Sequence, residues 1–298
     1  MIAADHEFGS QATELKLSVV EAYLHAFTTA LRGKFSELWY IDAFAGTGER
    51  TERVPARRGG LLGEELPESV VRRRGSAKIA IDVEPGFDRL IFVEKRPRAV
   101  EALREMRDQY VGRSIDVIEG DANDEIRKVI NYTNWARIRA VMFLDPYGMS
   151  VDWKTLQTIA KTQAIDVWYL FSLSGLYRQA ARDVTAIDDD KRAAITRVLG
   201  TDAWERELYA PGQRSLFTDE TPLRRTADVG ALQDYVRSRL KTIFPAVLRP
   251  LPLPIDKKPQ IFSLFFAISN PDGPAIGLAT RIANHILTAG ISSQRRPR

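Results

Sequence analysis

The sequence predicts an α/β fold: a seven-stranded, mostly parallel sheet with helices on both faces. Three observations lead there. Between residues 37 and 172, short continuous apolar runs alternate with stretches of helical periodicity, the pattern of strands buried on both faces and joined by crossover helices. Four of those runs end in an acid close to Gly, Pro or Asn: IDAFAGTG, FVEKRP, IEGDAN and FLDPYG. Near the C-terminus, the proline-rich RPLPLPIDKKP precedes the apolar run QIFSLFFAIS. These two read as strands pairing at one edge, the last of them antiparallel.

Taken in order, ATELKLSVVEAYLHAFTTALRG reads as a helix, with Leu15, Val19, Ala22, Tyr23, Ala26 and Ala30 at helical spacing and Gly33 as its stop. ELWYIDAFAGTGER is a buried strand running into a glycine turn. Residues 51–75 are polar, Gly-rich and Arg-rich, and are expected to be an inserted mobile loop with a short helix from Glu64 to Val71. SAKIAID is a helix, RLIFVEKRP the second strand and RAVEALREMRDQYV its helix. SIDVIEGDAND, DEIRKVINYTN, RAVMFLDPYG, VDWKTLQTIAKT and AIDVWYLFSLS continue the alternation. Residues 175–240 turn helical and charged, the best candidate for a recognition subdomain within one domain spanning 1–298. GLATRIANHIL closes as a helix, with Ile282, Ile286 and Leu287 on one face. Trp153 and Trp168 are assigned to the core.

Composition narrows the chemistry. The chain of 298 residues is 44% hydrophobic and 28% charged, an ordinary globular balance with enough material for a sizeable core. It has no cysteine, which excludes disulfides, thiolate metal sites, a catalytic thiol and iron–sulfur ligation by this chain. His6, His25 and His285 are scattered, so no metal site is expected. No apolar run reaches membrane-spanning length, and MIAADHEFGS lacks a secretory pattern, so no membrane partner is expected and a cytoplasmic location is the default. The net charge of +4 and pI near 9.2, with Arg clusters in ARRGG, VVRRRG, PLRR and SSQRRPR, are compatible with nucleic acid as a partner.

The strand ends carry the candidate site. In an open parallel sheet, ligands sit beyond the carboxyl ends of the strands where the topology reverses. Asp42, Phe44, Gly46 and Gly48 end the first strand, Glu94 the second, Asp121 and Ala122 the third, and Asp145, Pro146 and Tyr147 the fourth. A dinucleotide loop asks for Gly at the position that Thr51 occupies, and a pyrophosphate beside Asp42 would be repelled. The same acids suit S-adenosyl-L-methionine, which carries an ammonium and a sulfonium. On that reading Asp42 faces a cationic cofactor, and Gly46 and Gly48 let the backbone approach it. Phe44 gives apolar contact, Glu94 accepts from the ribose hydroxyls, and Asp121 with Ala122 meets the adenine. Glu94 lies about fifty residues beyond Asp42 rather than the usual twenty or so, an excess the inserted loop accounts for.

Together LKLSVVEAYL, WYIDAFAGTGER, FVEKRP, EGDAN, VMFLDPYGMSVDW, AIDVWYLF and FAISNPDG resemble the three-Cys-motif partner proteins over most of the chain. That resemblance implies a Rossmann-like methyltransferase fold and a separate cysteine-motif protein as partner. The turn is Gly46-Thr47-Gly48 where relatives commonly show Gly-Pro-Gly, and the insertion precedes Gly75-Ser76. Asp145-Pro146-Tyr147-Gly148 is also similar to the Asp-Pro-Pro-Tyr motif of amino-methylating nucleic-acid methyltransferases, with one proline instead of two. In that motif the acid and a following carbonyl accept the amine's protons and the ring stacks the base. Asp145, Pro146 and Tyr147 are thereby the candidate catalytic residues, and Lys16 is a further residue placed to reach cofactor or substrate. Two alternatives stand beside an S-adenosylmethionine-dependent methyltransferase. One is a cofactor-binding subunit that supports a modifying, radical partner without chemistry of its own. The other is a nicotinamide or nucleotide-sugar enzyme.

Overall fold

A computed structural model describes residues 2–54, 57–58, 65–66, 69–211, 223–255 and 259–294, with side chains for 11–49, 73–211, 223–255 and 259–290. The central sheet is made of β1 (Glu37–Asp42), β2 (Arg89–Glu94), β3 (Ile115–Glu119), β4 (Ile138–Leu144), β5 (Ile165–Ser172), β6 (Ala246–Val247), β7 (Leu251–Leu253) and β8 (Phe262–Ile268). Its order is β6-β8-β5-β4-β1-β2-β3, with β7 also on β8. β3, β2, β1, β4 and β5 run parallel. β8 is antiparallel to β5, and β6 and β7 are antiparallel to β8. This is the Rossmann-like, mostly parallel arrangement expected, with one difference. The edge is two short strands, so the sheet has 8 strands rather than seven. Pro250 interrupts the edge between them, since proline lacks the N–H a ladder needs.

Strands alternate their side chains between two cores. Trp39 and Ile41 of β1, Met142 and Leu144 of β4, and Val167 and Tyr169 of β5 pack in one. That core is covered by α4 (Ala122–Asn131), α5 (Trp153–Lys161), α6 (Leu173–Gln179), α7 (Asp189–Leu199) and α8 (Val229–Leu240). Leu38, Tyr40, Val141, Phe143, Trp168 and Leu170 face the other, under α1 (Ile2–Leu31), α2 (Ser76–Asp82), α3 (Pro97–Asp108) and α9 (Gly273–Gln294). Both tryptophans assigned to the core, Trp153 and Trp168, are buried. Leu176, Ile195, Trp204 and Leu232, from the helical stretch after residue 175, share the first core with the sheet.

Local sequence sets the boundaries. Asp121 caps α4 by accepting from the Asn123 amide, Asp188 and Asp228 cap α7 and α8, and Gly200 ends α7 at φ 68°. Pro97 opens α3, where a missing N–H costs nothing. On α1 the buried face differs from the one predicted. Ala22 is exposed, while Leu15, Lys16, Leu17, Val19, Val20, Tyr23, Leu24 and Phe27 are buried. Packing between α9 and the sheet widens the stripe beyond a single row.

The inserted segment departs further from expectation. Glu49–Val54 and Ser69–Arg74 form an antiparallel pair, and Arg57–Arg58 pairs with Glu65–Leu66. The helix expected over Glu64 to Val71 is therefore strand where it is described. Val70 and Val71 are β-branched and stand opposite Arg53 and Glu52 in a ladder, which favours extended backbone. Residues 55–56, 59–64 and 67–68, on which the rest of the mobile-loop expectation falls, lie outside the described residues. Arg73 and Arg74 tie the hairpin's base to Glu14 and Glu21 of α1, at 3.4 and 2.8 Å.

Candidate functional site

β1 is followed by β2 and β3 on one side and by β4 on the other, so the carboxyl ends of β1 and β4 border the point where the topology reverses. A cleft of about 930 Å³ opens there. The turn after β1 is stapled across it. The Ala43 amide donates to Phe143 of β4 and the Ala45 amide to Val93 of β2, both at 3.1 Å. Gly46 and Gly48 hold φ of 63° and 74°, a region that favours glycine. The Gly75 amide returns to the Gly48 carbonyl at 2.8 Å. A Cβ on Gly75 would stand 2.6 Å from that oxygen, so the insertion leaves the turn at Glu49 and comes back to it at Gly75.

Phe44, Gly46, Gly48, Asp145, Pro146 and Tyr147 line this cleft together with Lys16, Ser76 and Arg96. Asp42 does not line it. It lies fully buried beneath the turn, accepting from the Phe44 amide at 3.2 Å, the Tyr40 hydroxyl at 3.3 Å and the Ser76 side chain. Burial pushes its carboxyl up to about 6. The bonds from Ser76 and Phe44 oppose the rise, and the charge of Asp145 adds to it. Asp42 thus acts on the cleft through the turn it organises and through its field, not by touching the cleft's contents.

Glu94 sits behind the same turn. It accepts from the Gly46 amide at 2.9 Å, the Lys95 and Arg96 amides at 3.1 and 2.9 Å, and the Arg96 guanidinium at 3.0 Å. Burial pushes Glu94 up, and the bonds from Arg96 and Gly46 outweigh that, holding it below the usual carboxylate range. Asp121 and Ala122 stand apart from the cleft. Asp121 caps α4 and has Lys95 at 3.7 Å, and Ala122 is buried. Their neighbour Asn123 joins the third strand end to the fourth. Its side chain donates to the Ser150 carbonyl at 2.8 Å and accepts from the Asp152 amide at 2.8 Å.

On the other side of the turn, Asp145 forms an ion pair with Lys16. The lysine is itself buried on α1, with its ammonium 5.7 Å from the centre of the Phe143 ring. Among the described residues no hydrogen bond reaches the other carboxylate oxygen of Asp145, Oδ1. Tyr147 is 73% exposed at the rim, and the Arg96 guanidinium lies 5.1 Å from its ring centre. The ring does not pack against the helix that follows. The loop is held from behind by Asn123 and by Arg197, which donates to the Met149 carbonyl at 2.9 Å. Sequence reasoning gave Arg96 no role, and it marked Asn123 at the third strand end and Ser76 after the insertion without assigning either a part in the site. Ser76 adjoins the returning glycine, Arg96 stands two residues beyond the end of β2 and Asn123 two residues beyond Asp121, and that adjacency was the available signal.

Among the described residues no group of acids and histidines is placed to hold a metal ion, and no helix is long and apolar enough to cross a membrane. No protein-family model and no curated protein matches the chain. Among solved structures, a Legionella pneumophila protein of the DUF519 family is similar at TM-score 0.50 and 12% identity, over 93% of this chain and 91% of that one. Spermidine synthase from Thermotoga maritima is similar at TM-score 0.41 and 12% identity, over 87% of this chain and 62% of that one. Human methyltransferase-like protein 13, in complex with SAH, is similar at TM-score 0.39 and 14% identity, over 98% and 94%. The first likeness shows a shared fold; the other two are too loose to bear on what this chain does.

Proposed function

We propose that the chain is an S-adenosylmethionine-dependent methyltransferase acting on an exocyclic amino group of a nucleobase, free or within nucleic acid. One observation carries the reading: Asp145, with a carboxylate oxygen unclaimed, and the exposed ring of Tyr147 meet the glycine turn in one cleft at the switch point. The residues present fit the cofactor. Gly46 and Gly48 expose backbone to the cleft, and the buried carboxyl of Asp42 lies behind the turn, while Glu94 is balanced by Arg96. Both cations that line the cleft among the described residues, Lys16 and Arg96, are already paired with carboxylates. That arrangement suits a cationic ligand better than a diphosphate and speaks against the nicotinamide reading.

Bound there, S-adenosylmethionine supplies a methyl group on a positively charged sulfur. Asp145 accepts a hydrogen bond from the amino group, so that the nitrogen lone pair, otherwise delocalised into the ring, turns toward the methyl carbon. Transfer would form the N–C bond as the sulfonium C–S bond breaks and S-adenosylhomocysteine leaves, and Asp145 would be the first acceptor of the N–H proton the nitrogen loses. Tyr147 offers a face for the base, and holding the reactants in line supplies much of the acceleration. A base within a duplex has to be flipped out first.

Calorimetric titration with S-adenosylmethionine and S-adenosylhomocysteine, followed by labelled-methyl transfer to DNA, RNA and nucleosides, tests the reading. Absence of heat with both cofactors would sink it. The ion pair that already claims one oxygen of Asp145 favours a second reading, a cofactor-binding subunit for a cysteine-motif partner. Binding of cofactor with no transfer to any acceptor, and cellular function unchanged in Asp145→Ala, would select that one.

A further inference from the structure

We infer that Lys16 sets acceptor specificity: by pairing with Asp145 it makes the acceptor half of the cleft select a neutral, flat amine and turn away an alkylammonium. The inference deepens the methyltransferase reading and rests on it. Besides the glycine turn, the cleft is lined by Leu17 from α1, Leu170 from β5, Leu253 and Pro254 at the end of β7, and Ile261 and Phe262 at the start of β8. These are apolar groups, and Asp145 lines the same cleft. A lone carboxylate among such groups would attract any cationic amine. Here the carboxylate already holds the ammonium of Lys16, a side chain that is 7% exposed and fixed by the helix that carries it. An alkylammonium reaching for Asp145 would meet a like charge at the same acceptor, in a setting where apolar neighbours strengthen the repulsion.

An aromatic amine meets no such barrier. It is uncharged at neutral pH, needs one acceptor for an N–H, and finds it in the Asp145 oxygen that Lys16 leaves unclaimed. Its ring faces have the apolar side chains and the Tyr147 ring of the same cleft to pack against. Lys16 is thus a positioning residue. It orients Asp145 and cancels its charge without contacting the transferred group.

The test uses the full-length protein saturated with S-adenosylhomocysteine, at fixed ionic strength. Cytidine and guanosine are titrated against butylammonium and spermidine. The wild type is expected to bind a nucleoside at least tenfold more tightly than either cation. In Lys16→Met that preference is expected to fall at least tenfold, chiefly through a gain in cation binding, and Lys16→Arg is expected to keep it. Equal or tighter cation binding by the wild type, no binding of either class, or an unchanged preference in Lys16→Met would each overturn the inference. Should Lys16→Met fail to fold, loss of the preference in folded Lys16→Arg, which keeps the charge, would also overturn it. Failure of the methyltransferase reading is seen separately, as no binding of S-adenosylhomocysteine in the first step.

Discussion

At the scale of single residues, the two acids that bracket the switch point have different work. Asp145 is open to the cleft and Asp42 is sealed below it. On the proposed methyltransferase function, Asp145→Ala is expected to lower methyl transfer by about 10²–10⁴-fold while leaving S-adenosylhomocysteine affinity within about threefold, read by single-turnover kinetics and calorimetry. Asp42 makes a different prediction. Its carboxyl titrates near 3.8 when unfolded and at about 6 in the fold. Between those values the folded chain holds the proton more tightly, so this group's contribution to stability is full below the lower value and is lost as pH rises through the upper. Asp42→Asn keeps an acceptor for the Phe44 amide and removes the titration. Between pH 4 and pH 7 its stability should gain on the wild type by on the order of 2–3 kcal/mol, measured by urea unfolding at several pH values. Both residues could be picked out from sequence as acids at strand ends. Which one faces the cleft could not, because Asp42 is sealed beneath a turn that also takes in Ser76, which the chain returns there only after the hairpin.

At the scale of elements, the parallel strands and their crossovers were readable because each apolar run is continuous and the crossover helices begin at or just after Gly75, Pro97, Asp121 and Asp152. The inserted segment was misread in part. Its glycines and charges suggest a loop, yet the pairing of Glu49 with Arg74 through to Val54 with Ser69 is long-range and leaves only weak alternation in the sequence. Because the hairpin's two strands are adjacent at their base, residues 52–71 replaced by Asn-Gly should leave a closed short hairpin. We expect that variant to keep S-adenosylhomocysteine binding and to melt within a few degrees of the wild type. The returning glycine is less tolerant. Gly75→Ala drives a Cβ against the Gly48 carbonyl, and should cost about 1–3 kcal/mol and weaken cofactor binding at least tenfold, seen together in a thermal shift series with and without ligand.

At the scale of the molecule, the site depends on a helical layer contributed by distant parts of the chain. α1 carries Lys16, and α9 packs along it so closely that a Cβ on Gly290 would meet Val19 and Leu15 at 3.3 and 3.4 Å. Trp168, wholly buried between Tyr23 of α1 and Phe266 of β8, anchors that layer to the sheet. Trp168→Ala should destabilise the protein by about 3–5 kcal/mol in denaturant unfolding and loosen the Lys16–Asp145 pair with it. The sequence pointed to both ends of this arrangement, as amphipathic helices and a buried strand, but not to their contact, since nothing in helical spacing says which helix lies beside which. The closure at Glu49 and Gly75 has a consequence of its own. Departure and return share one doorstep, so the length and character of whatever lies between are released from the demands of the ligand pocket. Appendages of quite different size can hang from that doorstep while the socket keeps its shape, and kinship among such chains will be found by matching where the backbone rejoins itself rather than by counting residues between acids.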